Sequence, residues 1–339
     1  MNGITELTRD EREHALEIYR DSIVVDCLQA SVIDDGYIRR IRDSGVTCTS
    51  LGVSDLASLA GRYRLIEGNP DVVTGPVTRA GDIRRAKEEG RVAGIVGTQR
   101  PHFLVGPPPN LDLLPLLHRL GLKILQPTYN VRNVFAEGCG ERSDGGLSRL
   151  GLELVERMNG LHILFDCSHL GVRDTLDGCE HSDLPVATHS NARAVCDNVR
   201  NRTDEEIHAI AEKGGAIGLV AFPSFVKRTD MAHGERPTIG DLVDHVDHIS
   251  DLVGVEHVGV GLDLIEGWPL ERHRRLDRRP DIWGEPTPAG TYDYPLGLET
   301  IDELPNLAVG LVARGFSDHE VRGVLGENWL RVFRRAWGE

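Results

Sequence analysis

Residues 161–191 read LHILFDCSHLGVRDTLDGCEHSDLPVATHSN and contain two short apolar runs, at 161–167 and 184–188. The runs show little of the alternation between apolar and polar residues that marks a half-exposed strand. Continuous apolar runs of this length are typical of strands covered on both faces, as in a parallel sheet with helices packed outside. Each run is followed by a histidine, His169 or His189. We therefore interpret the stretch as two parallel strands that carry polar side chains at their carboxyl ends.

The same kind of run recurs along the chain. Eight runs are found, at residues 22–27, 46–51, 93–98, 122–128, 161–167, 184–188, 216–221 and 257–262. Helical patterns lie between them, for example at 78–89, 111–120, 147–159 and 203–213. Eight β/α repeats match a (β/α)8 barrel, whereas a doubly wound sheet usually has fewer strands and an early glycine-rich turn. No GxGxxG follows the first run. We predict an α/β protein with a single (β/α)8 barrel of the TIM type.

One domain is predicted for the whole chain, residues 1–339. A simple barrel needs roughly 250 residues, and insertions commonly extend it. An N-terminal helix is predicted within residues 1–20, where Thr8 and Glu11 form a capping-box pattern. A long loop rich in Arg, Pro and aromatic residues is predicted at 272–297, either as part of the active-site wall or as a surface or oligomer contact. A closing helix is predicted at 317–337.

The composition is that of a soluble, acidic protein. Lys and Arg number 38 against 53 Asp and Glu, which gives a formal net charge of −15. This balance argues against a nucleic acid or an anionic membrane as partner. No apolar stretch approaches the roughly 20 residues that span a bilayer. The first residues lack the apolar core of a signal peptide, and the six cysteines form no CxxC pair. We therefore expect a cytoplasmic protein with reduced thiols.

The candidate metal ligands follow the strands. In a parallel barrel the chemistry takes place at the C-terminal ends of the strands, and His169 and His189 follow consecutive strands. They are predicted to share a metal ion, because neutral imidazole is the commonest zinc ligand; alternatively, each only hydrogen-bonds to a neighbouring loop. A third ligand is needed, and Gln99, through its side-chain carbonyl oxygen, and Asp263 are the candidates. Asp263 is alternatively the group that carries a proton from water to a leaving amine. The pattern leaves both roles open.

Several linked motifs resemble those of one enzyme family. They are PTYNVRN at 127–133, FDCSHLG at 165–171, THSNA at 188–192, VRNRTDEEI at 199–207, VGVGLD at 258–263 and GENWLRVF at 326–333. In this order and context they resemble the membrane dipeptidase (renal dipeptidase) family, over nearly the whole chain from about Ser22 onward. The resemblance implies an amidohydrolase-like barrel that binds two zinc ions and hydrolyses dipeptides.

The resemblance also implies roles for individual residues. His169 and His189 correspond to the ligands of the family's second zinc ion, and Asp263 corresponds to its strand-eight acid. Arg200 corresponds to the arginine that binds the substrate carboxylate, a group that guanidinium fits with two parallel N–H donors. Another family histidine, three residues beyond a bridging glutamate, falls on His102. Substrate contacts are accordingly predicted for Arg200, Tyr129, His102 and Asn130.

The chain departs from the family pattern at the first zinc site. The family's His-x-Asp pair after strand one falls on Leu28 and Ala30, neither of which can bind a metal. The bridging glutamate falls on Gln99, and the substrate-facing histidine after strand four falls on Tyr129. Two Zn²⁺ ions a few Å apart repel strongly without a bridging anion. We therefore predict one zinc ion, held by His169 and His189 with Gln99, and a metal-free site as the alternative.

Three functions are compatible with these residues. The first is a metal-dependent hydrolase of a small amide, dipeptide-like or N-substituted amino-acid substrate that carries a carboxylate. The second is a non-hydrolytic enzyme, a lyase or an isomerase, because the same barrel supports many reactions. The third is a binding protein that has kept the pocket and lost turnover. By analogy with the family, a homodimer is a further expectation.

Overall fold

Eight parallel strands form the central barrel. The computed structural model describes residues 6–228, 236–276 and 278–339. The strands are β1 (Val25–Asp26), β2 (Cys48–Gly52), β3 (Val92–Thr98), β4 (Leu122–Leu125), β5 (Leu164–Asp166), β6 (Pro185–Val186), β7 (Ile217–Leu219) and β8 (Val258–Val260). Neighbours in the chain pair in parallel, and β8 pairs with β1. A parallel bridge between Ala187, just after β6, and Ile217 in β7 closes the ring. The predicted barrel is confirmed.

Helices pack around the barrel. They are α1 (Arg9–Asp21), α2 (Asp35–Asp43), α3 (Leu56–Gly68), α4 (Ala80–Glu88), α5 (His102–Val105), α6 (Leu114–Arg119), α7 (Arg149–Gly160), α8 (Val172–His181), α9 (Asp204–Glu212), α10 (Pro223–Val226), α11 (Ile239–Val253), α12 (Leu270–Leu276), α13 (Pro280–Trp283), α14 (Pro305–Arg314), α15 (Asp318–Arg322) and α16 (Asn328–Trp337). No helix of the described segments combines the length and the apolar character that crossing a membrane requires.

The strands are buried on both faces, which explains their continuous apolar sequences. All residues of β3 are buried, and its side chains meet both the barrel interior and the surrounding helices. An additional short strand, Val73–Thr74, pairs with β3 outside the ring. Its two residues are too few to produce a recognisable apolar run, so the sequence did not predict it.

Three segments flanking the barrel were also predicted. Helix α1 begins after Thr8, whose capping box with Glu11 is present, while residues 1–5 of the predicted N-terminal helix lie outside the described residues. The predicted loop at 272–297 contains the end of α12 and all of α13, and its residue 277 is likewise outside the described residues.

The predicted C-terminal helix is interrupted where it packs against the barrel. A π-helical turn, Gly323–Glu327, separates α15 from α16. A Cβ at Gly326 would lie 2.2 Å from the carbonyl oxygen of Ile23, so a side chain there would clash with the backbone leading into β1. Beyond the turn, Trp329 packs on Gly259 and donates its indole N–H to the carbonyl of Val260, 3.0 Å away. The segment thereby fixes the junction of β8 and β1, from which Asp263 emerges.

Candidate active site

Two imidazoles converge where β5 and β6 end. His169 and His189 are both buried, and their Nε2 atoms lie 2.9 Å apart. The two ring centroids are 4.9 Å apart, with the planes inclined by 56°. Consecutive parallel strands bring these side chains together, as the strand-end argument predicted. The two rings contact each other, and His169 also hydrogen-bonds to the loop after β4 through Asn130, so a shared metal ion stays a prediction.

The hydrogen bonds of the other ring nitrogens define which nitrogen carries the proton. His169 Nδ1 lies 2.6 Å from the amide oxygen of Asn130, which can only accept, so Nδ1 is protonated. His189 Nδ1 lies 2.7 Å from the hydroxyl of Thr188. That hydroxyl donates its proton to Asp166 Oδ2, also 2.7 Å away, so it accepts from His189 Nδ1. Both Nε2 atoms are therefore left without a proton.

Neither imidazole is easily protonated. Burial, together with the positive charge of Arg200, holds the pKa of both histidines well below its usual value. At neutral pH two nitrogen lone pairs thus face each other across 2.9 Å. This contact is repulsive unless a cation lies against both atoms. A nitrogen pair oriented by hydrogen bonds at the far side of each ring is the usual arrangement of metal-binding histidines.

The imidazole pair supplies two donors that a metal ion could bind. Among the described residues, no group of three or more His, Cys, Asp or Glu side chains is close enough to hold a metal. Gln99, the predicted third ligand, lines the neighbouring cavity together with Tyr129, so its part in holding a metal stays a prediction. Leu28 and Ala30, to which the resemblance assigned the positions of the first zinc ligands, line the neighbouring cavity, and their side chains carry no metal-binding atom.

Arg200 is the charged group nearest to the imidazole pair. It is fully buried, and its Nη2 lies 3.2 Å from His169 Nε2 and 3.5 Å from the carbonyl oxygen of His189. Its Nε and Nη1 find no hydrogen-bond partner within the described part of the chain. An unsatisfied buried donor costs about 1–3 kcal/mol, and more when it is charged. Nε and Nη1 together carry three N–H groups that no described residue accepts, although the side chain is not part of the cavity lining.

Asp263 follows β8 and lines a cavity of about 420 Å³ at the C-terminal end of the barrel. Its backbone is left-handed, with φ of 54°, a conformation that aspartate tolerates better than most residues. Burial raises the pKa of its carboxyl to about 7, and the positive charges of Arg200, Arg272 and Arg100 oppose this rise. Near neutral pH the carboxyl populates both protonation states, which suits a group that accepts and returns a proton.

Asp26 is a buried carboxyl that the sequence analysis did not select. It ends β1, and its Oδ1 accepts from the backbone N–H of Leu262 at 2.8 Å. Its Oδ2 accepts from Gln29 Nε2 at 3.2 Å, and burial raises its pKa to about 7. These bonds join β1 to the segment that carries Asp263. The sequence feature that could have selected Asp26 is its position as an acidic residue at the end of an apolar run, SIVVDC at 22–27.

Tyr129 separates the imidazole pair from the cavity. Its ring stacks on that of His169, with centroids 3.9 Å apart and planes inclined by 27°. Tyr129, Gln99 and Asp263 line the cavity, whereas His169 and His189 lie behind its wall. Asn130 contacts His169 and so orients its ring, and its predicted contact with substrate stays a prediction.

His102 stands apart from these groups. It begins α5, is exposed, and is absent from the cavity lining. Its contact with substrate stays a prediction. The segment at 272–297 does reach the cavity, through Arg275, Leu276 and Trp283 among others. This favours the interpretation that the segment forms part of the active-site wall.

The barrel and the groups at its C-terminal end are together typical of metal-dependent hydrolases of the amidohydrolase type. A family model described as membrane dipeptidase (peptidase family M19) matches residues 54–273 and 286–337. The chain belongs to this family, as the linked motifs predicted.

Individual relatives agree with this assignment. Dipeptidase verJ from Clonostachys rogersoniana is 28% identical over 273 residues, which are 80% of this chain and 62% of that protein. The chain thus spans less than two thirds of that relative's length. An amidohydrolase from Pseudomonas aeruginosa is 31% identical and has a TM-score of 0.84, covering 96% of this chain and 99% of its own.

A third protein shares the fold. A metallo peptidase from Rhodobacter sphaeroides, liganded with a phosphinate mimic of the dipeptide L-Ala-D-Ala, has a TM-score of 0.73 at 24% identity. The likeness covers 94% of this chain and 100% of that one.

Proposed function

We propose that this chain hydrolyses a small amide, dipeptide-like or N-substituted amino-acid substrate, using one zinc ion held by His169 and His189. The observation that carries the proposal is the pair of imidazole Nε2 atoms 2.9 Å apart beside the buried guanidinium of Arg200, whose Nε and Nη1 have no partner in the described structure. Membership of the membrane dipeptidase family supports it. So does the bound dipeptide mimic of the Rhodobacter sphaeroides structure, which occupies a protein of the same fold.

Zinc, Arg200 and Asp263 would have separate roles in the proposed hydrolysis. Bound zinc would supply Lewis-acid activation of water and of the scissile carbonyl. Arg200, whose Nε and Nη1 have no partner in the described structure, would donate hydrogen bonds to the substrate carboxylate. Asp263 would take a proton from the attacking water in its ionised form and return it to the leaving amine in its protonated form.

Metal analysis and a hydrolysis screen test the proposal directly. The protein as purified is expected to contain one zinc ion per chain, measured by elemental mass spectrometry. It is expected to release amine from dipeptides or N-acyl amino acids, detected by liquid chromatography with mass spectrometry. Two zinc ions per chain would contradict the single-ion site. Failure to bind zinc, together with no amine release from any substrate, would contradict the hydrolase.

Asp263→Asn tests the proton transfer. The amide keeps the shape of the carboxyl and cannot accept a proton, so kcat should fall about 10²-fold, the lower end of general acid–base contributions. In the unsubstituted protein kcat/KM should decrease as the pH falls through about 7, because protonation removes the base. That acidic limb should disappear in Asp263→Asn.

Asp71→Asn is the matched control, because Asp71 is exposed and lies outside the cavity lining. Its pH profile should be unchanged. An acidic limb near pH 7 that persists in Asp263→Asn would show that another group titrates. Asp263 would then keep only its alternative role as a metal ligand.

A further inference from the structure

The cavity wall is positively charged in a protein that is strongly negative overall. Among its described lining residues are four arginines, at 62, 100, 272 and 275, and two aspartates, at 166 and 263, leaving a formal charge of +2. The whole chain carries −15. A cleft of one sign in a surface of the other attracts ligands of the opposite charge. Arg200, behind the wall, adds a further positive charge.

The guanidinium groups of Arg100 and Arg272 stack on aromatic rings and form no ion pair with an acidic side chain of the described residues. The guanidinium carbon of Arg100 lies 3.8 Å from the centroid of the Tyr129 ring, and that of Arg272 lies 3.7 Å from the centroid of the Trp268 ring. Stacking occupies the flat face of a guanidinium and leaves the N–H groups at its edge available to a planar anion. Neither arginine forms an ion pair with any carboxylate of the described residues, Asp263 included.

The two guanidiniums also act on each other. Burial lowers the pKa of Arg272, and the positive charge of Arg100 lowers it further. Asp263 and Tyr129 act in the opposite direction, which places all four groups in one electrostatic neighbourhood. Two cations that repel each other beside one cavity are stabilised by an anion that binds to both.

We infer that Arg100 and Arg272 form a second anion-binding subsite, so that the substrate carries a further oxyanion group besides the carboxylate assigned to Arg200. The inference deepens the proposed function and rests on it for the first carboxylate. The shared chemistry is that of a carboxylate or a phosphoryl group, both of which guanidinium binds through paired N–H donors. A cavity of about 420 Å³ has room for a small dianionic amino-acid derivative.

Calorimetric binding of inert probes tests the subsite without turnover. The probes are glutarate, its monoamide glutaramate, and 3-phosphonopropionate, titrated into the purified protein at constant ionic strength. Glutarate should bind about tenfold more tightly than glutaramate, since guanidinium forms a stronger hydrogen bond with a charged carboxylate than with a neutral amide. The tighter of glutarate and 3-phosphonopropionate identifies the group that the subsite prefers.

Substitutions of the two arginines test whether they cause the preference for glutarate over glutaramate. Arg100→Gln and Arg272→Gln should each bring the glutarate preference close to parity. Arg119→Gln, an exposed position outside the cavity lining, should leave the preference unchanged. If one cavity variant fails to fold, as judged by thermal unfolding, the other variant still tests the assignment, and the comparison of probes on the unsubstituted protein decides whether a second subsite exists.

Different results would contradict the second anion subsite and the proposed hydrolase function. If the unsubstituted protein binds neither dianion more tightly than glutaramate, the second subsite does not exist, even when neutral dipeptides are hydrolysed. A preference that survives unchanged in both variants would also overturn the assignment to Arg100 and Arg272. If the dianion preference is present and no amide is hydrolysed, the subsite stands and the hydrolase proposal falls.

Discussion

His169→Ala is expected to lose the bound zinc and to lower kcat/KM by about 10³-fold or more. The substitution removes one of two imidazole donors, and a single remaining histidine with neutral oxygen ligands is a weak zinc site. A catalytic metal stabilises the transition state by several kcal/mol, and each 1.4 kcal/mol corresponds to a factor of ten in rate. Zinc content by elemental mass spectrometry and turnover on the best substrate of the screen are the two measurements.

Chelation and a surface variant separate the metal effect from a general loss of structure. Treatment of the unsubstituted protein with a chelator should abolish turnover, and added zinc should restore it. Zinc should not restore His169→Ala. His181→Ala, at an exposed histidine at the end of α8, should keep both zinc and activity. Full zinc occupancy and normal turnover in His169→Ala would eliminate the metal site proposed here.

The barrel could be predicted from the sequence because its strands are buried on both faces. Burial on both sides demands continuous apolar residues, so each of the eight ring strands left a run that could be recognised in isolation. The convergence of His169 and His189 followed from the same reasoning, since parallel neighbours end at one face of the barrel. The interruption at Gly326 could not be predicted. Its cause is contact with Ile23, more than three hundred positions away.

The composition of the site was only partly predictable. Arg200 has no local signal, because it lies in a turn between β6 and α9, and only the resemblance to a family selected it. Arg272 reaches the cavity from the segment after β8, and its stacking on Trp268 is a tertiary contact that no periodicity reveals. His102 was selected from its position in the sequence, but the structure places it outside the cavity lining. It follows β3 closely in sequence, but it begins a short helix that leaves it exposed.

A buried ion pair supports the loop that carries His169. Arg202 and Glu206 are both inaccessible to solvent and contact each other at 2.6 Å. The same Arg202 Nη1 donates to the carbonyl oxygens of Cys167 and Leu170 at 3.3 and 3.1 Å. These carbonyls flank His169, so the pair links the start of α9 to the imidazole site.

Glu206→Ala should therefore lower the free energy of unfolding by about 3–5 kcal/mol, because it leaves the charge of Arg202 buried without its counter-ion. Glu206 also completes the capping box of α9 with Thr203, and the lost cap contributes to the same change. The measurement is urea unfolding followed by circular dichroism. Glu205→Ala is the matched control, because it removes an exposed carboxylate from the same helical turn and should change stability by less than about 1 kcal/mol.

The double variant Arg202→Met with Glu206→Leu distinguishes a charge effect from a packing effect. Removing both charges should recover much of the stability lost in Glu206→Ala, because no ion is then left buried without a partner. The carbonyls of Cys167 and Leu170 would still lose their donor, so zinc affinity should remain below that of the unsubstituted protein although the fold is restored. Stability and zinc affinity that recover together would show that the ion pair contributes to folding and has no separate part in holding His169.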